Sequence, residues 1–385
     1  MPYADAEERL LNQLKTYMTA VHLSQVSAAL AFAKEVHAGY RRKNGAAYLL
    51  HPIAVTTTLA EWQAPPPVIA AGLLHDVQKE KYGRGVTIET LRQEFGEEVA
   101  QLVLEVSQLG RLGHIRPAQT EGDQPGPFTQ MAERLPWVAG ILHRSPVAVV
   151  IKLADRLHNF ESLDVLDPER QVTYATVSRN VFSPFAERLG MRAVKRQLDD
   201  AAFKALQPDA YDQMVARYPM TEQLTAVAPL VEDLQTALAV QDIPAHVSSR
   251  NRSYYELYLR EQERKKPTPL HMVRPVVVRL PTDLACYRAL GVLHQRWTPL
   301  PGTLRDNIGD PKSNGYRALH TRIRYGSDNL LVVIRDSDMD LVADYGLAAG
   351  WMGADAGYLP SFPEWRPPPP DKIAVLTPDG DVKML

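Results

Sequence analysis

A chain of 385 residues with 45% hydrophobic side chains, 45 acidic and 43 basic groups has length for two or three domains and a sizeable core. Its formal net charge of -2 excludes a general polyanion-binding surface, so an anionic ligand has to be met by local basic clusters. A single cysteine, Cys286, excludes an internal disulfide and fits a reducing compartment. The opening residues Met1-Pro-Tyr-Ala-Asp5 lack the basic and apolar regions of a signal peptide, and no run approaches the roughly 18 apolar residues of a membrane span. A cytoplasmic location without a membrane partner is expected.

Residues 5–38 alternate apolar and polar at helical spacing, and Ala- and Leu-rich runs recur through residues 50–107 with an interruption at Pro65-Pro-Pro67. This pattern predicts a helical bundle or array. Between its helices lies the basic loop Gly39-Tyr-Arg-Arg-Lys-Asn-Gly45, which carries Arg42, Lys43 and Asn44, followed by Tyr48-Leu-Leu-His51-Pro52. Proline suits the first turn of a helix, so His51 is expected at a helix start. Ala70-Ala-Gly-Leu-Leu-His75-Asp76 reads as an apolar helix that ends in two adjacent metal-ligand types. Residues 109–127 break the pattern with glycine and proline, as a lid or a mobile loop does.

The run Val149-Val-Ile-Lys-Leu-Ala-Asp-Arg-Leu-His-Asn-Phe-Glu-Ser162 organises this half of the chain. Lys152, Asp155, Asn159 and Ser162 fall at offsets 0, 3, 7 and 10, one stripe of a helix, beside an apolar face that includes Val150, Leu153, Ala154 and Leu157. An aspartate in so apolar a helix needs a cation or strong donors. A structural salt bridge or cap and a ligand centre both meet that need.

Helical patterning continues to about Val215, and from Val240 the texture changes. Ala245-His-Val-Ser-Ser249, Pro275–Leu280, His320–Tyr325 and Asn329–Arg335 are strand-like and alternate with helical stretches such as Asp283–Trp297, so an α+β domain is expected. Arg366-Pro-Pro-Pro-Pro370 is a stiff linker, and Asp371–Leu385 reads as strand, Pro-Asp-Gly turn, strand, the start of a third domain.

His51, His75, Asp76 and Asp155 together offer two imidazoles and two carboxylates, a set suited to manganese, iron or zinc. The order His51-Pro52, His75-Asp76, Lys152-Leu-Ala-Asp-Arg-Leu-His-Asn159 resembles the HD-type hydrolase domain of the RelA/SpoT family of ppGpp synthetase-hydrolases. Asn314-Gly-Tyr-Arg-Ala-Leu-His-Thr321 and Asp344-Tyr-Gly-Leu-Ala-Ala-Gly-Trp351 resemble that family's synthetase domain, and the terminal hairpin resembles the start of its TGS domain. The resemblance implies a multidomain chain: an all-α HD-type hydrolase domain over 1–200, a helical linker over 201–239, an α+β nucleotidyltransferase-like, synthetase-like domain over 240–355, a Pro-rich linker over 356–370, and a truncated TGS-like start over 371–385.

It also implies the roles. His51, His75, Asp76 and Asp155 are the expected metal ligands, with Mn2+ as the expected ion ahead of Fe2+ or Zn2+. Arg42, Lys43, Asn44, Lys152, Asn159 and Ser162 are the expected wall for a guanosine tetra- or pentaphosphate. A water activated at the ion would attack the 3′-linked pyrophosphate and give GDP or GTP plus pyrophosphate. One departure falls at the chemistry. The family follows His-Asp with Val-Val-Glu-Asp-Thr, whereas this chain has Val77-Gln-Lys79-Glu80-Lys81 and a short insertion. Besides Asp76, the expected catalytic groups are thus Glu80, orienting or deprotonating the water after a one-position shift, and Lys79, contacting phosphate.

In the second domain Arg274 and Leu331 stand where the family places its magnesium-binding acids, and the glycine-led basic segment has become Ser249-Arg-Asn-Arg-Ser-Tyr-Tyr255. Synthetase activity is therefore expected to be absent. Tyr316, Asn314 and His320 remain either as a second, regulatory nucleotide site or as residues that hold the fold. Contacts to the ribosome or other partners are expected from C-terminal domains beyond this sequence. Two further readings fit the same residues: a non-catalytic alarmone sensor, and a hydrolase of another phosphorylated nucleotide.

Overall fold

The computed structural model describes residues 3–79, 85–110, 140–141 and 144–360, together with the backbone of 374–376 and 382–384. Residues 1–189 form the body of one compact unit and residues 190–361 form another.

The first unit is helical: α1 (Ala4–Lys15), α2 (Ala20–Val36), α3 (Leu50–Glu61), α4 (Pro66–Leu74), α5 (Ile88–Phe95), α6 (Glu97–Gly110), α7 (Pro146–Phe160), α8 (Pro168–Val177) and α9 (Ser183–Arg188). The caps were written in the sequence. Thr19, Thr87 and Asp167 each accept a backbone N–H of the first turn, and proline sits in the first turn of α4, α7 and α8, where an N–H would lack a partner. The prolines at 65–67, read as an interruption, thus start a helix. Helices α3, α4 and α7 pack on one another through Val55, Leu59, Ile69, Leu73, Val149, Val150 and Leu153, all fully buried. Gly72 makes the α3–α4 approach possible, since a Cβ there would lie 2.7 Å from Leu59 Cδ1 and 3.0 Å from Thr56 Oγ1. Of the stretch expected to be a lid, 109 and 110 close α6 and the rest lies outside the described residues.

The second unit begins with α10 (Arg192–Leu206), α11 (Pro208–Arg217) and α12 (Met220–Ala239). Helix α10 runs across the boundary expected at residue 200 and lies whole in this unit, and helices α10 to α12 occupy most of the segment 201–239 expected as a helical linker. Then follow β1 (His246–Ser249), α13 (Tyr254–Arg264), α14 (Leu270–Val273), β2 (Val276–Leu280), α15 (Asp283–Arg296), β3 (Arg305–Asp306), β4 (Leu319–Tyr325), β5 (Asp328–Asp336) and α16 (Ser337–Tyr345). The strands form one five-stranded sheet in the order β1-β2-β5-β4-β3. Only the β2–β5 pair is parallel, with Val276 opposite Val332. The valine and isoleucine runs of β2 and β5 fit this central position, buried on both faces. One face packs Val276, Val278, Leu319, Ile323, Val332 and Ile334 with α12 and α15. The other packs Val277 and Val333 with Tyr316, Ala318 and Ala343.

Near the end of the chain, β6 (Ala374–Leu376) and β7 (Val382–Met384) pair antiparallel, Val375 opposite Lys383. Among the described residues no helix is long and apolar enough to cross a membrane.

Candidate active site

Three helices of the first unit bring the candidate ligands together. His51 lies in the first turn of α3, His75 caps α4 with Asp76 just beyond it, and Asp155 lies in α7. All four are at least 95% buried. His51, His75 and Asp76 present ligand atoms that lie within 4.8 Å of one another. Asp155 Oδ1 is 3.1 Å from His51 Nε2 and 3.8 Å from His75 Nε2.

The hydrogen bonds around the imidazoles settle which nitrogens face inward. His75 Nδ1 is 2.7 Å from the Gly72 carbonyl, which only accepts, so Nδ1 carries the proton. His75 Nε2 then turns a lone pair towards Asp76 Oδ1 at 3.5 Å, and it is buried without a hydrogen-bond partner. His158 Nδ1 accepts from Arg42 at 3.2 Å, because a guanidinium only donates. His51 Nδ1 lies 2.8 Å from the same atom, and its Nε2 faces inward, 3.1 Å from Asp155 Oδ1. Two inward imidazole nitrogens and two carboxylates thus converge in a buried space. Such a set can hold a cation, and a borderline divalent ion suits the mixed nitrogen and oxygen donors.

Charge supports the same state. Burial would push Asp76 up, but the Lys79 ammonium and the His75 and His51 imidazoles outweigh it and hold the carboxyl well below its usual range. Asp155 behaves likewise, with Lys152, His51 and His75 outweighing burial. Burial lowers His51 to about 4, so it is neutral and ready to ligate near pH 7.

The centre lies on a cleft of about 1040 Å³, ample for a nucleotide with its phosphates. Arg42, Lys43, Asn44, Lys152, Asn159 and Ser162 all line it beside His51, Asp76 and Asp155, and Arg41, Lys79 and Arg170 add positive charge. Arg42 donates to Asn159 Oδ1 at 2.7 Å, and Asn159 Nδ2 donates to Asp155 Oδ1 at 2.7 Å, so the loop is tied to the α7 stripe. Lys152 Nζ is 2.6 Å from Asp155 Oδ2. Ser162 is the exception to the helical stripe, since α7 ends at Phe160 and Ser162 lies past its end. Glu80 lies outside the described residues. Lys79 is placed 2.6 Å from Asp76 Oδ2, on a carboxylate rather than a free donor for phosphate.

Sequence reasoning missed four residues here. The Tyr48 phenol donates to Asp76 Oδ2, and His158 meets His51 as described. Arg156 is 1% exposed, stacked 3.9 Å from the Phe182 ring and 4.5 Å from that of Tyr174, and donates to Ser178 Oγ at 2.6 Å. Arg156 and Tyr174 form part of the cleft wall. The available signal was spacing: Tyr48 precedes His51 by three residues, and His158 follows Asp155 by three.

In the second unit Tyr316 is 4% exposed, with the Arg192 guanidinium 4.0 Å over its ring and its hydroxyl 2.7 Å from His320 Nε2. Asn314 Oδ1 accepts the Tyr316 N–H at 3.3 Å. Burial and the cations Arg192, Lys312, Arg335 and Arg252 lower His320 to about 4. One face of the Tyr316 ring is therefore covered by the Arg192 guanidinium. Arg274 donates to Ser249 Oγ at 2.9 Å, to the Ser249 carbonyl at 3.2 Å and to Asn251 Oδ1. Ser249 and Asn251 belong to the altered basic segment, so these departures from the family pattern make one physical unit, a guanidinium fork that pins the end of β1. Leu331 packs with the Val277 and Val333 cluster. Arg250 is paired with Asp340 at 2.8 Å and with Asp344, and Arg252 with Glu256. Among the described residues, the sole group of three or more potential metal ligands is the one at His51, His75 and Asp76.

Comparison with known proteins agrees with both units. Residues 29–192 match the HD domain, and residues 249–355 match the region found in RelA / SpoT proteins. The GTP pyrophosphokinase of Streptomyces coelicolor is 36% identical over 336 residues, 86% of this chain and 38% of that protein. The guanosine-3′,5′-bis(diphosphate) 3′-pyrophosphohydrolase of Spiroplasma citri is 33% identical, over 89% of this chain and 45% of that protein. The bifunctional (p)ppGpp synthase/hydrolase SpoT of Escherichia coli is 32% identical, over 90% of this chain and 48% of that protein. The chain spans less than half the length of each of these relatives. With a helical HD domain, its buried His-His-Asp cluster and a mixed-sheet RelA/SpoT region following in the same order, the chain belongs to the RelA/SpoT family.

Proposed function

We propose that the first unit is a divalent-metal phosphohydrolase, with manganese as its ion, that removes the 3′-pyrophosphate of guanosine tetra- or pentaphosphate, and that the second unit synthesises neither. The observation that carries the hydrolase reading is the buried convergence of His51, His75, Asp76 and Asp155 beside a basic cleft. His51, His75, Asp76 and Asp155 would hold the ion, which when bound supplies Lewis-acid activation of water and charge for the phosphates. Arg42 and Lys43 neutralise phosphate charge, while Asn159 and Ser162 set the nucleoside end against α7. Lys152 fixes the orientation of Asp155 through Oδ2, and Glu80 takes the proton of the attacking water. Attack at the phosphorus attached to O3′ breaks the P–O3′ bond, and the departing oxygen takes up a proton to give the free 3′-hydroxyl with pyrophosphate released.

The proposed loss of synthesis rests on Arg274 and Leu331, neither of which can hold magnesium. A non-catalytic alarmone sensor is the second reading, favoured by the lysine at position 79, beside the centre. Incubation with guanosine tetraphosphate and manganese, followed by separation of nucleotides, distinguishes them. Release of GDP and pyrophosphate, lost in Asp155→Ala, is expected. Tight binding of intact tetraphosphate with no turnover would establish the sensor.

A further inference from the structure

The two carboxylates of the centre are compensated differently. Asp155 turns Oδ1 towards the histidines and Oδ2 away to Lys152, so the lysine and an ion would use different oxygens. Asp76 is divided less cleanly: its Oδ1 is 3.5 Å from His75 Nε2, but Oδ2 faces a histidine as well. Its Oδ2 is 3.8 Å from His51 Nε2, on the ligand side, and that same atom accepts from both the Tyr48 phenol and the Lys79 ammonium. These two donors occupy the lone-pair directions of one carboxylate oxygen. The side chain of Lys152 is 13% exposed and confined, whereas that of Lys79 is 50% exposed and open to the cleft.

We propose that Lys79 is an internal counter-ion of the centre, competing with a divalent ion for Asp76 and thereby setting how tightly that ion is held. The proposal rests on the reading of the cluster as a metal centre. With Lys79 and Lys152 in place, two ammonium groups balance two carboxylates. A divalent ion added to that set leaves an excess of two positive charges until Lys79 swings away or an anion enters. Displaced from Asp76, the Lys79 ammonium stays within the cleft that Arg42 and Lys43 also line. Ion binding then hands a cation to the anion-binding wall, so the two ligands favour each other.

The test uses the full chain and manganese alone, with the free ion followed by its paramagnetic resonance signal. Lys79→Met keeps the length of the side chain without its charge, and it is expected to lower the manganese dissociation constant roughly tenfold, equivalent to about 1.4 kcal/mol. Lys79→Arg keeps the charge and is expected to stay close to the parent. In the parent, manganese is expected to increase labelling of Lys79 by an amine-acylating reagent several-fold, as read by peptide mass spectrometry. Circular dichroism confirms that each variant is folded. Equal dissociation constants for the parent and Lys79→Met, with one ion bound in each, would overturn the assignment of Lys79 alone. A parent that takes up no manganese, zinc or iron would overturn the metal-centre reading beneath it.

Discussion

Gly72 gives a quantitative test of how the centre is built. A Cβ at this position would come 2.7 Å from Leu59 Cδ1 and 3.0 Å from Thr56 Oγ1, and both residues are fully buried and cannot turn aside into solvent. Overpacking of this kind costs roughly 1–3 kcal/mol, offset by about 0.5–1 kcal/mol from replacing glycine with alanine inside a helix. Gly72→Ala should therefore lower the stability of the first unit by up to about 2.5 kcal/mol. It should also weaken metal binding, because the Gly72 carbonyl fixes the inward lone pair of His75. Gly291, in α15, meets nothing within 4 Å, so Gly291→Ala isolates the backbone term and should stabilise the second unit by about 0.5–1 kcal/mol. Calorimetry resolves the two transitions, and a manganese titration reads the centre. If Gly72→Ala stabilises its unit as Gly291→Ala does, the packing argument for the α3–α4 approach is wrong.

His158→Phe removes the hydrogen-bond partner of His51 Nδ1 and should weaken manganese binding roughly 10–100-fold, as loss of an outer-shell partner does; an unchanged titration would refute that role. Burial raises the Asp200 carboxyl from 3.8 to about 6, so its contribution to stability is complete below the lower value and lost as pH rises through the higher. Asp200→Asn keeps an oxygen for the Tyr255 N–H and should stabilise the second unit by about 1–3 kcal/mol at pH 7.5, with a flatter profile between the two values in pH-dependent denaturation. Labelled ATP incubated with GDP and magnesium should yield no labelled tetraphosphate, and a product that vanishes in Tyr316→Ala would show that other carboxylates hold the magnesium.

Where the pattern was local, the sequence was legible. The Lys152, Asp155 and Asn159 stripe is joined by hydrogen bonds one helical turn apart, and His51 and His75 lie at the helix ends that proline and apolar run length indicated. The alternation of β4 and the valine runs of β2 and β5 likewise set the sheet strands. What escaped depends on register between distant segments. His158 meets His51 across 107 residues, and Arg42 meets Asn159 across 117, so no window along the chain holds both partners. Lys79 was read as a phosphate contact from its type and position, and its tie to the buried Asp76 carboxylate was not foreseen. At Arg274 the resemblance pointed to an exchanged ligand type. Only the fold shows that the guanidinium now serves Ser249 and Asn251.

The central claim is that water, activated at the His51, His75, Asp76 and Asp155 centre, cleaves the bond between phosphorus and O3′. Turnover of guanosine tetraphosphate with manganese in water enriched in oxygen-18, read by phosphorus NMR and mass spectrometry of both products, tests it most directly. Label in the pyrophosphate and none in the nucleotide, with the reaction abolished in Asp155→Ala, is the predicted result. Label in the nucleotide, or turnover that persists in Asp155→Ala, would contradict it.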